Sequence, residues 1–325
     1  LYVFPSECAE QIVIVYDSPD DLVQAKTHQL PPNVHVFCRT FDLSLSPEEF
    51  LPMSFSTPCA FTFYEGFGVN ALLRFNTQFP ISFQDIILRV ETETPACNVS
   101  ALTTTTKLIV KKMQNGTLTL PTSVVDLVLD GTNLVSVSGG DNLTRFKLNG
   151  QLATLGSCPK LQELDWSGRL SVMNVPLTDS TPLSSMFIVA NDVRPDFVVP
   201  TTVTSLAFTV KNRSIDICRL SRLVHLQKLF VDGRKGEDID LSELRLLTKL
   251  EVHCSTVANI PASLVECQIP LESDFDFSSL TNLTSLRLRL NTKVNGTFPT
   301  QLVVLKIDGQ GTLGKTNIED VELSV

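Results

Sequence analysis

One twelve-residue pattern recurs along this chain with its apolar positions held at a fixed spacing. Three copies begin at Leu220, Leu241 and Phe277, and each reads apolar-x-x-Leu-x-x-Leu-x-x-Leu-x-apolar. A fourth begins at Leu155, with a cysteine and a tryptophan in two of the apolar positions. No single copy can bury its own leucines, whereas stacked copies build a continuous core. The chain is therefore predicted to be a solenoid.

A shorter version of the pattern begins with proline and reads Pro-x-x-apolar-x-x-apolar-x-apolar. Its copies begin at Pro80, Pro121, Pro200, Pro261 and Pro299. In both versions, we define the key residue as the one aligned with Leu229. The key residues are Ile86, Leu108, Leu127, Phe146, Leu164, Met186, Leu206, Leu229, Leu250, Cys267, Leu286 and Leu305. Their spacing of about 20 residues is at the short end of the range for leucine-rich repeats.

Two periods within each repeat predict its local structure. The final apolar-x-apolar run alternates at period two, which indicates a strand with one buried face, whereas Leu-x-x-Leu suits a helical or 3₁₀ turn. We expect an α/β-type leucine-rich repeat solenoid with a parallel β-sheet on the concave face and short helical, 3₁₀ or extended convex segments. The rival fold is a right-handed parallel β-helix, which would need further strand signals in each coil.

The repeats cover most of the chain, and because a solenoid grows in one dimension, 325 residues do not require a second core. Residues 80–310 form the leucine-rich repeats, and residues 311–325 are a C-terminal cap or truncated repeat. Residues 1–79 are an irregular N-terminal cap or, as we favour, degenerate repeats, with strand-like runs at 11–15, 34–37 and 60–63. The chain begins at Leu1 without a charged-then-apolar leader, so we expect a mature or trimmed product.

Charge and hydropathy disfavour two classes of partner. The formal net charge is −9 and the chain has no basic run, whereas nucleic-acid affinity depends on clustered lysine and arginine. Charges interrupt every apolar stretch well before the roughly 20 residues needed to cross a bilayer. We therefore expect no nucleic-acid partner and no membrane span in this segment.

Six Asn-x-Ser/Thr sequons favour a secreted or surface-displayed protein. Asn142 and Asn282 occupy the same repeat position, four residues before the key residue, where a turn would be exposed. The predicted glycosylation sites are Asn98, Asn115, Asn142, Asn212, Asn282 and Asn295.

The chain has eight cysteines, and the repeat geometry restricts their pairing. Neighbouring coils lie about 4.8 Å apart and bridged Cα atoms within about 7 Å, so only cysteines in the same or adjacent coils can pair. Cys158 and Cys218 are expected to be free and buried. With no Cys-x-x-Cys and no cysteine–histidine cluster, neither a zinc site nor a cofactor is expected. The possible disulfides are Cys8 with Cys38, Cys59 with Cys97 and, more weakly, Cys254 with Cys267.

Catalytic motifs are not apparent in the sequence, and we do not expect an enzyme. The four histidines, His28, His35, His225 and His253, are scattered and accompany no nucleophile or phosphate-loop motif.

Two Asp-x-Asp pairs recur, each ending ten residues before a key leucine and just ahead of an apolar-Ser turn. They could form a cation site or an acid–base pair, but capping of exposed turn amides is favoured. The pairs are Asp238 with Asp240 and Asp274 with Asp276.

The alternation of Leu-Ser-x-Leu-x-x-Leu-x-x-Leu-x-Leu with Pro-x-Ser-Leu-x-x-Leu-x-Leu, over about residues 80–310, resembles the leucine-rich repeat surface proteins of protozoa and, in style, bacterial surface repeat proteins. The resemblance implies an adhesion or recognition module. One feature departs from the family, which carries an asparagine three positions after the last strand leucine. Here Asn191 and Asn291 match, but Thr132, Lys211 and other residues stand elsewhere, so the asparagine ladder must be replaced or missing.

Strand residues between the leucines are predicted to form the concave binding surface. They run from apolar to basic, so a protein or glycoprotein partner is favoured, and Arg287 with Arg289 could clamp an acidic group. The alternative is an ordinary solvated strand face. Trp166 takes an inward position and is predicted to be core. The partner-binding candidates are Phe187, Val189, Phe230, Asp232, Glu251, His253, Arg287, Arg289, Lys306 and Asp308.

These observations lead to one hypothesis and two alternatives. We expect a non-catalytic recognition or adhesion module, such as a receptor ectodomain, that is extracellular or at the cell surface. One alternative is a β-helix enzyme acting on polysaccharide, which would need acidic side chains converging on one face. The other is an intracellular adaptor, favoured if all eight cysteines are free and no sequon is used.

Overall fold

The computed structural model describes the backbone of five strands between residues 2 and 89 and most of the chain from residue 96 to residue 317. In that second stretch it leaves out residues 101, 104, 169–171, 174, 194–196, 212–218, 234–238 and 254–256. The described chain is almost entirely strand and turn, with one 3₁₀ turn at Leu220–Arg222.

The chain forms two compact units. Unit 1 comprises Leu1–Leu161 and Trp166–Pro176, and unit 2 comprises Gln162–Asp165 and Leu177–Val325. This division falls inside the repeats and follows neither of the sequence boundaries at residues 80 and 310.

The strands of residues 1–176 lie almost entirely in unit 1, and β11 passes from one unit to the other. The strands are β1 (Tyr2–Pro5), β2 (Ile12–Tyr16), β3 (Val34–Cys38), β4 (Cys59–Phe63), β5 (Phe83–Arg89), β6 (Ala96–Asn98), β7 (Lys107–Lys111), β8 (Gln114–Thr119), β9 (Asp126–Ser138), β10 (Arg145–Leu155), β11 (Glu163–Trp166) and β12 (Val172–Met173).

Unit 1 has a long parallel ladder in the order β2, β3, β4, β5, β7, β9, β10, with β1 antiparallel to β2. The three strand-like runs noted in the first 80 residues are thus strands in the same ladder as the recognisable repeats.

A second parallel ladder in unit 1 was not predicted. β6 pairs with β8, and β8 pairs with the C-terminal half of β9. β10 follows β9 through both halves, with a register shift between Asn149 and Gly150. A coil here therefore consists of a strand, a corner and a second strand, so its return segment is extended.

Unit 2 repeats the arrangement with shorter second strands. Its strands are β13 (Ser185–Ala190), β14 (Asp192–Val193), β15 (Ser205–Val210), β16 (Lys228–Gly233), β17 (Ile239–Asp240), β18 (Lys249–Val252), β19 (Val257–Ala258), β20 (Glu266–Leu271), β21 (Phe275–Asp276), β22 (Ser285–Leu290), β23 (Val294–Thr297), β24 (Val304–Gly309) and β25 (Leu313–Thr316). The main ladder is parallel throughout, in the order β13, β15, β16, β18, β20, β22, β24. β17 pairs with β19, and β23 pairs with β21 and β25.

The predicted key residues form the core. From Leu108 to Leu305 all of them are buried, and Leu229, Leu250 and Leu286 are 2%, 1% and 0% exposed. Full burial of such a side chain contributes about 1.5–3 kcal/mol. The stacking that the repeat predicted is therefore confirmed.

The Leu-x-x-Leu steps fold as successive turns closed by hydrogen bonds between residues three apart. In the copy beginning at Leu241, the amide of Leu244 donates to the carbonyl of Leu241 and the amide of Leu247 to that of Leu244, both at 3.0 Å. Proline copies make one such turn, as where Leu264 donates to Pro261 at 3.3 Å. The return segments are thus turns and short strands, and the α/β description is not confirmed.

A hydroxyl ladder runs along the start of the main strands, at the opposite end from the positions of the expected asparagine ladder. Two residues before the key residue, a threonine or serine donates to the carbonyl at the same position of the preceding coil. Thr204, for example, donates to Ser184 at 3.1 Å, and that carbonyl also accepts the amides of Thr204 and Ser205. The other donors of this ladder are Thr144, Ser184, Thr248 and Thr284.

Candidate functional site

Between the buried residues of the main ladder of unit 2, alternate side chains project to the other side of the sheet. We call this surface the outward face. All ten residues predicted from the sequence lie on it, in two rows that include four residues that were not predicted. The first row, aligned across the strands, is Phe187, Ala207, Phe230, Glu251, Gln268, Arg287 and Lys306. The second row is Val189, Thr209, Asp232, His253, Pro270, Arg289 and Asp308. A third row, one residue before the key residues, is Ser185, Ser205, Lys228, Lys249, Glu266, Ser285 and Val304.

The sequence interpretation missed Ala207, Thr209, Gln268 and Pro270. They occupy the same two alternating positions in the coils keyed by Leu206 and Cys267, so the register of the repeat was the signal that could have identified them.

The face is apolar at its β13 end. Phe187 is 39% exposed, and Val189 and Phe230 are half-buried. Ala207 lies between the two phenylalanines in register. An exposed large apolar side chain beside further apolar surface is a feature of interaction sites.

A polar cluster occupies the centre of the face. His253 Nε2 lies 2.7 Å from Glu251 Oε1 and 3.3 Å from Gln268 Nε2. Because a carboxylate only accepts, His253 Nε2 is the donor to Glu251, and the Gln268 amide nitrogen, itself a donor, lies beside it without a hydrogen bond to it. The imidazole also packs on the ring of Phe230, with centroids 5.4 Å apart. The histidine thereby joins the apolar end to the charged part of the face.

The β22–β24 end of the face is basic. Arg287 donates from Nε to Asp308. This bond and the attraction that accompanies it raise the pKa of Arg287 and lower the pKa of the Asp308 carboxyl. Arg289 stands in register with Asp308, and Lys306 with Arg287. Three cations and one carboxylate thus share two adjacent strands.

On the corresponding face of unit 1 the charges are paired with one another. Arg145 lies 2.9 Å from Asp126, and Lys111 lies 3.7 Å from Asp130. Asn149 donates to the second carboxylate at 2.9 Å. This surface is therefore largely self-satisfied, in contrast to the basic end of unit 2.

The second aspartate of each recurring pair caps a turn, as the sequence predicted. Asp240 Oδ1 accepts the amide of Ser242, and Asp276 Oδ1 accepts the amide of Ser278, both at 2.9 Å. Each also accepts from the next coil, Asp240 from Asn259 and Asp276 from the Thr297 hydroxyl. The Thr297 bond, followed by those from Ser278, lowers the pKa of Asp276 to about 2. Of the first aspartates, Asp274 accepts the backbone and side-chain amides of Asn295 in the next coil, and Asp238 lies outside the described residues.

Other potential catalytic features are sparse in the part of the chain that the structure describes. No three histidine, cysteine, aspartate or glutamate side chains there are arranged to hold a metal ion. Within the same residues, no helix is long and apolar enough to cross a membrane.

Most of the described sequon asparagines take part in hydrogen bonds between coils. The amides of Asn142 and Asn282 donate to carbonyls of the preceding coil, and that of Asn295 donates to Asp274. Asn115 accepts from Asn133. Asn98 is exposed at the end of β6 and accepts the amide of Ser100. Asn212 lies outside the described residues.

The cysteine predictions require one correction. Cys97 is a free thiol, 1% exposed, so the bridge to Cys59 is not formed. The reason is positional, because Cys59 begins β4 in the main ladder whereas Cys97 lies in β6 of the second ladder.

The remaining cysteine predictions fall into two groups. Cys158 is free and buried as predicted, and burial raises the pKa of its thiol to about 11. Cys267 is also free and buried, so the weaker pairing with Cys254 is not formed. The predictions for Cys8, Cys38 and Cys218 stay predictions, since Cys8 and Cys218 lie outside the described residues, as does Cys254, and Cys38 is described only as part of the backbone of β3.

Trp166 has the inward position that the sequence predicted. It is 0% exposed and packs edge-on against Phe146, with ring centroids 6.4 Å apart. It belongs to the core and not to a ligand-binding surface.

Comparison with known proteins supports the fold but identifies no family and no curated relative. No family model matches the chain, and no curated protein matches it. Among solved structures, a leucine-rich repeat protein of Leptospira interrogans superposes with a TM-score of 0.50 at 14% identity, covering 92% of this chain and 90% of that one. At this identity the likeness concerns the fold alone. With its stacked parallel coils and its repeat register, the chain has the fold of a leucine-rich repeat solenoid.

Proposed function

We propose that this protein is a non-catalytic recognition or adhesion module that binds a protein or glycoprotein partner through the outward face of unit 2, outside the cell or on its surface. The observation that carries the proposal is the in-register pair of rows across seven parallel strands, apolar at β13 and basic at β24. Solenoid sheets offer extended surfaces of this kind to partners.

The composition of the face supports a protein partner. It combines aromatic residues and arginine, which are enriched in protein interfaces, with a charged surround. Phe187 is exposed, whereas every other aromatic residue whose burial is described in the main-ladder strands is buried or half-buried. A simple sugar has too little apolar surface to cover this end of the face.

The carboxylates on the strands support a binding role over acid–base catalysis. Asp126, Asp130, Glu266 and Asp308 all lie in ion pairs with lysine or arginine. On the outward face, Asp232 and Glu251 are diagonal neighbours on β16 and β18. Polysaccharide hydrolysis that disappears in Glu251→Gln would therefore contradict the non-catalytic proposal.

Affinity capture from cell-surface extracts tests the binding role. The full chain serves as bait beside a face variant, Phe187→Ser with Arg289→Glu, and a control variant, Val224→Ser with Arg245→Glu. Val224 is 45% exposed and Arg245 is exposed on the turn side of the coils. We expect a partner that wild type and control capture equally and the face variant loses. Equal capture by all three would refute this site.

Intact mass tests the location. The protein is isolated from its natural source and weighed with and without glycosidase and reductant. Loss of mass on glycosidase treatment supports export through a glycosylating pathway. An unglycosylated chain with all eight cysteines reduced would instead favour an intracellular adaptor.

A further inference from the structure

The apolar end of the outward face places a small residue between two aromatic ones, an arrangement that we call the notch. Phe187, Ala207 and Phe230 stand side by side in register on β13, β15 and β16. Adjacent strands are about 4.8 Å apart, so the two phenylalanines flank the small alanine at a separation of about 10 Å. A ring inserted midway would lie about 5 Å from each, inside the range of roughly 4.5–7 Å for aromatic pairs.

The other end of the face attracts negative charge. Arg287, Arg289 and Lys306 share β22 and β24 with the single carboxylate of Asp308. Arg287 is bound to that carboxylate, whereas Arg289 and Lys306 make no ion pair with any described residue. This local excess of positive charge occurs in a chain whose formal net charge is −9.

The central part of the face separates the two ends and carries charges of both signs, with Lys228 exposed at the start of β16 and Lys249 paired with Glu266. Asp232 and Glu251 lie there, on β16 and β18. Like charges opposed across an interface are destabilising, so Asp232 and Glu251 disfavour a partner carboxylate beside them, and the unbalanced positive charge of the β22–β24 end favours one.

The distance between the two ends determines a spacing in the partner. From Ala207 on β15 to Arg287 on β22 there are four steps across the ladder, through β16, β18 and β20, or about 19 Å. An extended polypeptide advances about 3.3 Å per residue, so about six residues cover this distance. Because six is even, side chains at both ends of that segment point to the same side.

We propose that the outward face binds an extended, acidic polypeptide segment running across the strands, with one aromatic or large aliphatic side chain in the Phe187–Ala207–Phe230 notch and carboxylates about six to eight residues away on Arg289 and Lys306. This proposal rests on the recognition function above and adds the chemistry and polarity of the partner.

The spacing is tested with synthetic peptides that carry one phenylalanine and one pair of glutamates in a sequence otherwise made of serine and glycine. The Phe-to-Glu separation is set to two, four, six or eight residues, and a matched peptide carries Lys in place of Glu. Binding to the full chain is followed by fluorescence anisotropy at low and high salt. We expect separations of six and eight to bind at least about 5-fold tighter than two, with no binding of the Lys peptide and weaker binding at high salt.

Three variants connect the binding to the two ends of the face. Ala207→Phe fills the notch and should abolish the advantage of the Phe-containing peptide over one with Ser in its place. Arg289→Glu with Lys306→Glu should abolish the preference for Glu. Arg245→Glu, on the turn side, should change neither.

Several outcomes would overturn the proposal, and they are distinct from failure of the recognition function. Equal binding at every separation would overturn it. Binding of heparin fragments that Ala207→Phe leaves unchanged would also overturn it, since it would indicate a site for polyanions in general. If no peptide binds while a captured protein partner is lost by the Phe187→Ser, Arg289→Glu variant, the segment proposed here is wrong and the recognition function stands.

Discussion

The Nδ2 amide of Asn142 donates a 2.7 Å hydrogen bond to the carbonyl of Thr122 in the preceding coil. Asn282 makes the same bond, at 3.0 Å, to the carbonyl of Ala262. In each case the acceptor is the residue that follows the proline of a short copy. The bond ties neighbouring coils at their turns, so these sequon asparagines have a structural role in addition to any glycan.

Replacement of Asn282 by alanine should therefore destabilise the fold. The substitution removes one bond between coils, so we expect a loss of about 1 kcal/mol in the free energy of unfolding, measured by urea denaturation followed by far-UV circular dichroism. Thr201→Ala is the matched control, because Thr201 follows Pro200, is half-buried, and its side chain makes no hydrogen bond to the described residues. An Asn282→Ala protein as stable as this control would show that the bond contributes nothing.

Two threonine hydroxyls should differ in their contribution to stability. Thr202 Oγ1 contacts the part-buried carbonyls of Thr181 at 3.0 Å and Leu183 at 2.8 Å. Thr248 Oγ1 contacts the carbonyl of Gln227, which already accepts two backbone amides. Thr202→Val should therefore cost about 1 kcal/mol more than Thr248→Val, since it leaves the part-buried carbonyl of Leu183 less satisfied, whereas that of Thr181 still accepts the Leu183 amide. Equal losses in parallel urea titrations would contradict this ranking.

The repeat register predicted the core because the strand alternation sets which side chains face inward. The key residues from Leu108 to Leu305 were identified by alternation, and each is buried. The caps by Asp240 and Asp276 followed from the same reasoning about local amides. The hydroxyl ladder was not predicted, because serine and threonine are common in this chain and only the fold reveals which carbonyl each one meets.

The second ladder and the chemistry of the site show what spacing cannot supply. β8 and the C-terminal half of β9 pair with register shifts around Gly116, so their apolar residues do not alternate strictly. The outward rows were predicted in position, but the engagement of His253 by Glu251 and of Arg287 by Asp308 depends on side-chain placement between coils. The Cys59 pairing was wrong because the sequence did not reveal that Cys97 belongs to a different ladder.

Gly296 should tolerate no side chain while Phe275 keeps its place. A Cβ at Gly296 would overlap the ring of Phe275, which packs against Phe277 and Phe298 with centroids 4.6 and 5.3 Å away. Gly296→Ala should cost about 1–3 kcal/mol, as for other overpacked sites. Combining it with Phe275→Leu should recover part of that loss, which a double-mutant cycle measures. Additive losses would show that the ring is not the cause.

Acid should destabilise the protein partly through Asp276. The carboxyl has a pKa of about 2 because Thr297 and Ser278 donate to it, against an ordinary value near 3.9. Its lowered pKa means that its stabilising contribution is complete above about pH 4 and is lost as pH falls towards about 2. Asp276→Asn should therefore flatten the fall in thermal midpoint over this range.

The acid experiment has a matched control. Asp232→Asn removes an exposed carboxylate that makes no hydrogen bond to the described residues, and it should leave the acid-induced fall of the thermal midpoint unchanged. If Asp276→Asn also leaves the slope between about pH 4 and pH 2 as in the wild type, the hydrogen bonds to Asp276 do not stabilise the charged form.

The single tryptophan should report the burial of the core directly. Trp166 is 0% exposed and its indole nitrogen has no hydrogen-bond partner among the described residues, so its emission should be blue-shifted and poorly quenched by iodide. A second protein, Trp166→Phe with Phe187→Trp, moves the fluorophore to a position that is 39% exposed and should emit further to the red with strong quenching. If iodide quenched the folded wild-type protein as readily as this variant, β11 would present Trp166 to solvent, and the inward register assigned to that coil would be wrong.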